Sequence, residues 1–205
     1  MITLYGMTDS GNCYKPRLLL AKLGEPFRHV ETNAMDGSTH YAEFLAKNPN
    51  GKVPLMEFED GRLLAESNAM LLYLAEGTRF VPARHYERGL AYQWLFFEQY
   101  SHEPYVAVRR ALLRFPERAK DATPERLAST LAGGNKALDV MEAQLKRTPF
   151  LVGDAISVAD ISLYAYTHDA GLHGFDLGSF PAVSAWLRRV EADDGHVPLD
   201  WTPSA

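Results

Sequence analysis

Residues 1–31, MITLYGMTDSGNCYKPRLLLAKLGEPFRHVE, decide how the first third of this chain folds. Ile2 to Gly6 is a short strand-prone run stopped by glycine. Residues 12–23 carry the leucines and long side chains of a helix, and Gly24 stands where a left-handed residue closes one. Pro16 is expected in the first turn of that helix, where its missing N–H does no harm. Phe27 to Glu31 reads as strand again. Strand, helix and strand within so short a span make a crossover unit, which pairs its strands in parallel.

Outward from there, residues 53–59 and 62–65 flank Asp60-Gly61, a pair that signals a two-residue hairpin turn. A helix is expected from Ser67 to about Glu76. The order β-α-β, connecting segment, β-β-α places a parallel crossover and an antiparallel hairpin in one mixed four-stranded sheet. After Gly77 the strand signals stop, and residues 78–86, with Pro82 and no clean periodicity, read as a linker.

Only helical patterns follow. Leu90, Trp94, Phe97 and Tyr100 recur at three to four residues, with a kink expected at Pro104. Leu138, Met141 and Leu145 form one stripe; Val183, Trp186, Leu187 and Val190 form another. Residues 156–166 are apolar almost all round, the pattern of a helix in the middle of a bundle. The tail from Asp193 carries proline and glycine and is expected to be loosely held. The fold class is α/β plus all-α: residues 1–77, a linker at 78–86, and a helical domain at 87–205.

With 46% apolar and 23% charged residues, the 205-residue chain has the composition of a folded globule. Its net charge of -5 argues against a nucleic-acid footprint, which needs a basic face. Arg109, Arg110, Arg114 and Arg118 cluster, but Glu117, Asp121 and Glu125 follow, so the cluster reads as a solvated helix face. Cys13 is the single cysteine, so no intrachain disulfide forms, which fits a reducing compartment. The N-terminus lacks a basic flank and a small-residue cleavage site, and no apolar run reaches the roughly 20 residues that span a bilayer. A cytoplasmic location is expected.

The residues able to carry chemistry fall mostly in the first third. Ser10-Gly11-Asn12-Cys13 lies where the first strand meets the first helix. Ligands of open α/β sheets bind outside the carboxyl ends of the strands, and a helix start favours an anion such as a thiolate. Asp9 or Ser10 is also a natural cap for that helix, and a capping serine can still turn its hydroxyl outward. Cys13 is either a low-pKa nucleophile or a buried, inert small group, and the second reading is preferred. Val53-Pro54 heads a strand; a cis bond there would turn the Val53 main chain outward to meet an extended peptide. Glu66-Ser67 opens a helix. Ser67 is a natural N-cap, and with Glu66 it also suits the carboxylate and ammonium of an amino-acid head group. Ser157-x-x-Asp160 reads as a structural capping box. His168 and His173 are five apart, off one helical face, so no metal site is expected. There is no glycine-rich phosphate loop.

In this order and spacing the pieces resemble the glutathione transferase superfamily over essentially the whole chain. Ser10-Gly11-Asn12-Cys13-Tyr14-Lys15-Pro16-Arg17 looks like the serine-type active-site segment of theta- and zeta-like members and bacterial relatives. Residues 48–54 are similar to the segment leading to that family's cis-proline, Glu66-Ser67 to its Glu-Ser pair, and Ser157-x-x-Asp160 to its central-helix capping box. The resemblance implies a thioredoxin-like N-terminal domain and an all-helical C-terminal one. It implies a transferase joining glutathione, as co-substrate and without a metal, to small apolar electrophiles. Ser10, with Asn12 nearby, would stabilise the thiolate. Val53 would pair with the cysteinyl main chain, with Pro54 fixing that geometry; Lys52 would meet the glycyl carboxylate, and Glu66 and Ser67 the γ-glutamyl head. A homodimer is implied as well. Of the aromatic run Trp94, Phe96, Phe97, Tyr100 and Tyr105, most are expected in the bundle core or at a dimer contact. Tyr105 and Arg109 are the candidates for seeing the electrophile. The alternatives are a glutathione-dependent reductase or peroxidase working through Cys13, and a non-catalytic binding module.

Overall fold

β1 (Ile2–Gly6) lies inside a four-stranded sheet in the computed structural model, which describes residues 1–203. The sheet order is β2-β1-β3-β4. β2 (Phe27–Glu31) runs parallel to β1, with Ile2 opposite Phe27. β3 (Leu55–Glu57) is antiparallel to β1, with Tyr5 opposite Leu55, and β4 (Leu63–Ala65) is antiparallel to β3. This is the mixed four-stranded sheet expected of the first third. α1 (Gly11–Leu23) ends at Gly24, whose φ of 68° is the left-handed conformation that residue was expected to supply. α3 (Ser67–Ala75) packs beside α1. Between β2 and β3 lie a 3-10 turn at Ser38–His40 and the one-turn helix α2 (Ala42–Leu45), both too short to show a period in sequence.

Leu4, Leu20, Phe27, Met56 and Met70 form the core of this sheet unit. Trp201 packs against the same cluster, its ring centroid 6.1 Å from that of Phe27. Met1–Glu76 and the described chain from Asp194 onward make one compact unit; Gly77–Asp193 make the other. The tail expected to be loose is therefore a strap on the first unit. Tyr14 Oη donates to the Val197 carbonyl at 2.5 Å, and Arg17 Nη2 donates to the Leu199 carbonyl.

Two local expectations also change. Pro16 is the sixth residue of α1, not part of its first turn, so the Asn12 carbonyl receives no helical N–H from it. The hairpin turn is wider than two residues. Asp60 Oδ1 accepts the Arg62 N–H at 3.1 Å and Gly61 takes φ 80°, so the loop closes through Phe58 N–H to the Arg62 carbonyl at 2.9 Å.

In the second unit, α4 (His85–Phe97) passes through a π-helical turn at Glu98–His102 into α5 (Glu103–Arg114). Pro104 sits in the first turn of α5, so the expected kink takes the form of this wide turn. α6 (Pro124–Leu145), α7 (Val158–Thr167) and α8 (Pro181–Glu191) complete it. All ten residues of α7 are buried, as its all-round apolar pattern requires. The Ser157–Asp160 capping box is present. The Asp160 carboxylate accepts the Ser157 N–H and hydroxyl at 2.8 and 2.9 Å, and the Leu151 N–H and Trp186 indole at 2.9 Å each. Neighbouring side chains approach α6 closely at two of its glycines. A Cβ on Gly133 would fall 2.2 Å from the Tyr105 ring, and one on Gly134 2.4 Å from that of Phe175. Phe80, within the expected linker, is buried, and its carbonyl accepts the Val158 N–H at 2.9 Å. Among the described residues no helix is long and apolar enough to cross a membrane.

Candidate functional site

The carboxyl end of β1 runs through Met7, Thr8 and Asp9 to Ser10, the N-cap of α1. Ser10 has extended backbone angles, and its N–H donates to the Met7 carbonyl at 3.1 Å. Its Oγ accepts the Cys13 N–H at 3.4 Å, a long bond in which the hydroxyl keeps its own hydrogen to give. Capping and outward donation are thus compatible in the half-buried Ser10.

Thr8 anchors this loop. Its N–H donates to both Glu31 carboxylate oxygens at 3.1 Å, and its hydroxyl to Glu31 Oε2 at 2.5 Å. His29 Nε2 lies 3.1 Å from the same oxygen. Partial burial pushes the Glu31 carboxyl up, but the Thr8 and His29 hydrogen bonds hold it below the ordinary carboxylate range.

The start of α3 comes to the start of α1. Ser67 Oγ donates to Asn12 Oδ1 at 3.2 Å, and Lys15 Nζ donates to Ser67 Oγ at 3.5 Å. Ser67 and Lys15 are buried. Lys15 was not among the residues expected here. The available signal was a cation three positions after Asn12, hence on the same helix face, within the run Cys13–Leu20 that is buried throughout. Glu66, the N-cap of α3, is exposed and has φ 69° and ψ 114°, a strained conformation for a residue with a side chain.

β-register brings the third segment to the same edge. Leu55 is opposite Ala65 and Tyr5, so Val53-Pro54 and Glu66-Ser67 leave the β3–β4 ladder side by side, where β1 enters the Ser10 loop. The Val53–Pro54 bond is cis. Asn48 Nδ2 donates to the Lys52 carbonyl at 2.7 Å and steadies the approach to it. Lys52 itself is exposed. Among the described residues the main-chain N–H and C=O of Val53 make no hydrogen bond, which leaves an edge that an extended peptide can pair with.

Cys13 does not fit the nucleophile reading. It is fully buried, and a Cβ on Gly6 would lie 3.0 Å from Cys13 Cβ and 3.1 Å from its sulfur. Burial pushes the thiol up to about 11, against the pull of the Ser10 and Met7 hydrogen bonds and of Arg17.

Other candidates have structural partners. Arg109 Nε donates to the His173 carbonyl at 2.6 Å and Nη1 to the Leu127 carbonyl at 2.7 Å, and its guanidinium lies over the Phe175 ring. Tyr105 packs against α6 at Gly133. Arg110 is buried in an ion pair with Asp169 at 2.7 Å, so the arginine cluster expected to be solvated is half interior. The aromatic run also divides: Trp94 is buried, whereas Phe96 and Tyr100 are 75% and 86% exposed. Tyr5 Oη donates to Glu57 at 2.7 Å and accepts from Lys47 at 2.8 Å, on the sheet rather than in the Ser10 loop. His168 stacks on Tyr164, and His173 lies 3.4 Å from Asp169. Among the described residues no three His, Cys, Asp or Glu gather as a metal-binding group.

Known proteins match both units of the chain. A model of the glutathione S-transferase N-terminal domain matches residues 1–76, and one of the C-terminal domain matches residues 124–189. The chain is 32% identical to glutathione S-transferase theta-3 of Mus musculus, covering 95% of this chain and 83% of that one. It is 28% identical to the disulfide-bond oxidoreductase YfcG of Escherichia coli, covering 94% and 91%. Among solved structures, a glutathione S-transferase from Pseudomonas fluorescens is 48% identical, with a TM-score of 0.93 and 97% and 98% of the chains covered. URE2P6 of Phanerochaete chrysosporium, solved in complex with oxidized glutathione, is 25% identical, with a TM-score of 0.83 over 95% and 92%. The sheet unit is thioredoxin-like and the second unit is the helical domain that accompanies it in those structures.

Proposed function

This chain belongs to the glutathione S-transferase family of glutathione-using enzymes, and from that premise we propose that it joins the glutathione sulfur to small apolar electrophiles. The observation that carries the reading is the meeting of the two helix starts at Asn12, Lys15 and Ser67, beside the unpaired main chain of Val53. In this reading Ser67 and the start of α3 take the γ-glutamyl carboxylate, and exposed Glu66 takes its ammonium. Val53 pairs with the cysteinyl main chain, Pro54 holds it in place, and Lys52 reaches the glycyl carboxylate. That lays the sulfur by Ser10, whose hydroxyl donates to the thiolate. The thiol proton leaves to solvent, the sulfur lone pair forms the new bond to carbon, and the leaving group departs with its electron pair.

Magnitudes say how much Ser10 can do. A thiol of pKa about 8.5 is only about 3% ionised at pH 7. Lowering it by about two units takes roughly 2.7 kcal/mol of differential stabilisation and raises the thiolate about twentyfold. The less basic sulfur is about eightfold less nucleophilic, so the net gain is a few-fold. Orientation of the sulfur against the electrophile supplies the larger part of the rate. Because the same hydrogen bond also orients the sulfur, conjugation of a chromogenic aryl halide should fall at least tenfold in Ser10→Ala, more than the thiolate effect alone; an unchanged rate removes Ser10 from the mechanism. A homodimer belongs to the same reading, and analytical ultracentrifugation tests it.

The relationship to YfcG favours a second reading, thiol–disulfide exchange with a disulfide substrate. Cys13, buried with its thiol near 11, argues against an enzyme thiol in that exchange, which leaves the bound glutathione thiolate as the attacking group. Parallel assays with the aryl halide and with 2-hydroxyethyl disulfide separate the two; turnover of neither would leave a binding module.

A further inference from the structure

Every polar main-chain and side-chain atom of Thr8, two residues before Ser10, is held. Glu31 takes its N–H and hydroxyl, and Arg17 Nη2 donates to its carbonyl at 2.8 Å. The same Nη2 carries a second hydrogen, which goes to the Leu199 carbonyl of the C-terminal strap. Nε and Nη1 of Arg17 are buried without a protein acceptor among the described residues, so Nη2 is the polar tether of a fully buried guanidinium. The strap is fastened on both sides of this point: Tyr14 to the Val197 carbonyl, Trp201 against Phe27. Gly195 lies so close to α1 that a Cβ there would be 2.7 Å from the Lys22 Cα.

We propose that Arg17 is a positioning residue for the Ser10 loop, and that the C-terminal strap, held through Leu199, is a working part of the thiol site. The inference rests on the assignment of Ser10 to the glutathione sulfur. A buried arginine unclamped by the strap would be free to seek water, and release of the Thr8 carbonyl would let the loop carry Ser10 away from the sulfur. A hydroxyl displaced by an ångström stabilises the thiolate less without altering the segments that grip the peptide. The charged and titratable groups facing Arg17 are Glu31 on β2, Cys13 and Tyr14 on α1, and Asp200 on the strap. Of these, the carboxylates of Glu31 and Asp200 carry the opposite charge.

The test is the pH profile of kcat/KM for the aryl halide at saturating glutathione, whose rising limb reports the bound thiol. It is read beside the calorimetric affinity for S-methylglutathione, which has no thiol to ionise. Arg17→Met is expected to move the rising limb up by about one pH unit and lower the neutral-pH rate a few-fold, since the more basic sulfur regains part of the lost rate. Tyr14→Phe, which removes the hydroxyl bond to the strap and keeps the ring under the Arg17 guanidinium and the main-chain bond to Ser10, is expected to move it up by a few tenths. Affinity for S-methylglutathione should stay within twofold in both. An unmoved limb in both variants, or affinity that falls in step with rate, overturns the proposal. The strap's part in it falls if Arg17→Met moves the limb and Tyr14→Phe does not. Should Arg17→Met fail to fold, Tyr14→Phe decides on the same reading. Wild-type protein that does not bind S-methylglutathione refutes the underlying Ser10 assignment instead.

Discussion

Asn12 and Ser67, 55 positions apart, meet at 3.2 Å and lock the first turn of α1 to the first turn of α3. Neither residue is exceptional alone: Asn12 is the second residue of α1 and Ser67 the first of α3, just inside the N-caps Ser10 and Glu66. Their meeting gathers two helix starts, each with a partial positive charge, at one edge of the sheet.

Removing that junction should weaken substrate binding more than chemistry. Ser67→Ala deletes one hydrogen bond to Asn12 and one from Lys15. The Michaelis constant for glutathione is expected to rise about tenfold, about 1.4 kcal/mol, with kcat at saturation within twofold. Steady-state kinetics decide. A fall in kcat at constant KM would place Ser67 in the chemical step instead.

Alkaline stability should report Cys13. Burial raises its thiol from the ordinary 9.0 to about 11, so the neutral thiol favours the folded state. That contribution is complete below about pH 9 and is lost as pH climbs through about 11. Its size is on the order of 2–3 kcal/mol. Urea titrations from pH 8 to 11 should show the decline, and Cys13→Ala, less stable at pH 8 for lost packing, should show a shallower one.

Acid stability should report Asp169. Burial pushes its carboxyl up, but hydrogen bonds from His173 and Arg110, with the Arg110 charge, bring it from 3.8 to about 2. A lowered carboxyl stabilises the fold above its unfolded value, and the benefit disappears as pH falls from about 4 to about 2. Asp169→Asn is expected to cost about 2 kcal/mol near pH 7 and to flatten the acid limb of a pH–stability curve between those values. A loss that is the same at pH 2 and pH 7 would contradict the ion-pair account.

Two helix glycines should answer alanine with opposite signs. Gly89 in α4 is exposed with nothing within 4 Å of a would-be Cβ, so Gly89→Ala should stabilise by about 0.5–1 kcal/mol through helix propensity. Gly134 in α6 gains the same propensity, but its Cβ would fall 2.4 Å from the buried Phe175 ring. Overpacking of about 1–3 kcal/mol wins there, and the melting temperature should drop. Thermal denaturation of both variants is the check.

Much of the fold was legible because its signals are local. β1 and β2 lie between glycine and proline punctuation and coincide with their expected limits, and the Ser157–Asp160 box marks the start of α7. The hairpin was misread for a local reason too. Asp60 spends its side chain on the Arg62 N–H, which favours a wider loop over the tight turn that Asp-Gly suggests. Contacts spanning the chain were another matter. Lys15 reaches Ser67 across 52 positions and Arg17 reaches Leu199 across 182, and no period or spacing announces such partners. A cation inside a buried helix was the one available hint. The same distance effect hid the true setting of Arg109 and Arg110, whose acceptors lie on other helices and turns.

The four donors that converge on Asp160 come from the Leu151 segment, the cap of α7 and the Trp186 side chain of α8. Fraying the first turn of α7 would therefore strand a carboxylate and an indole in apolar surroundings at once. Partial opening at that point gains little chain entropy against so large a desolvation penalty. The middle of the helical unit should consequently exchange its amide protons only by melting as one cooperative block, with the slowest protons clustered at residues 158–165.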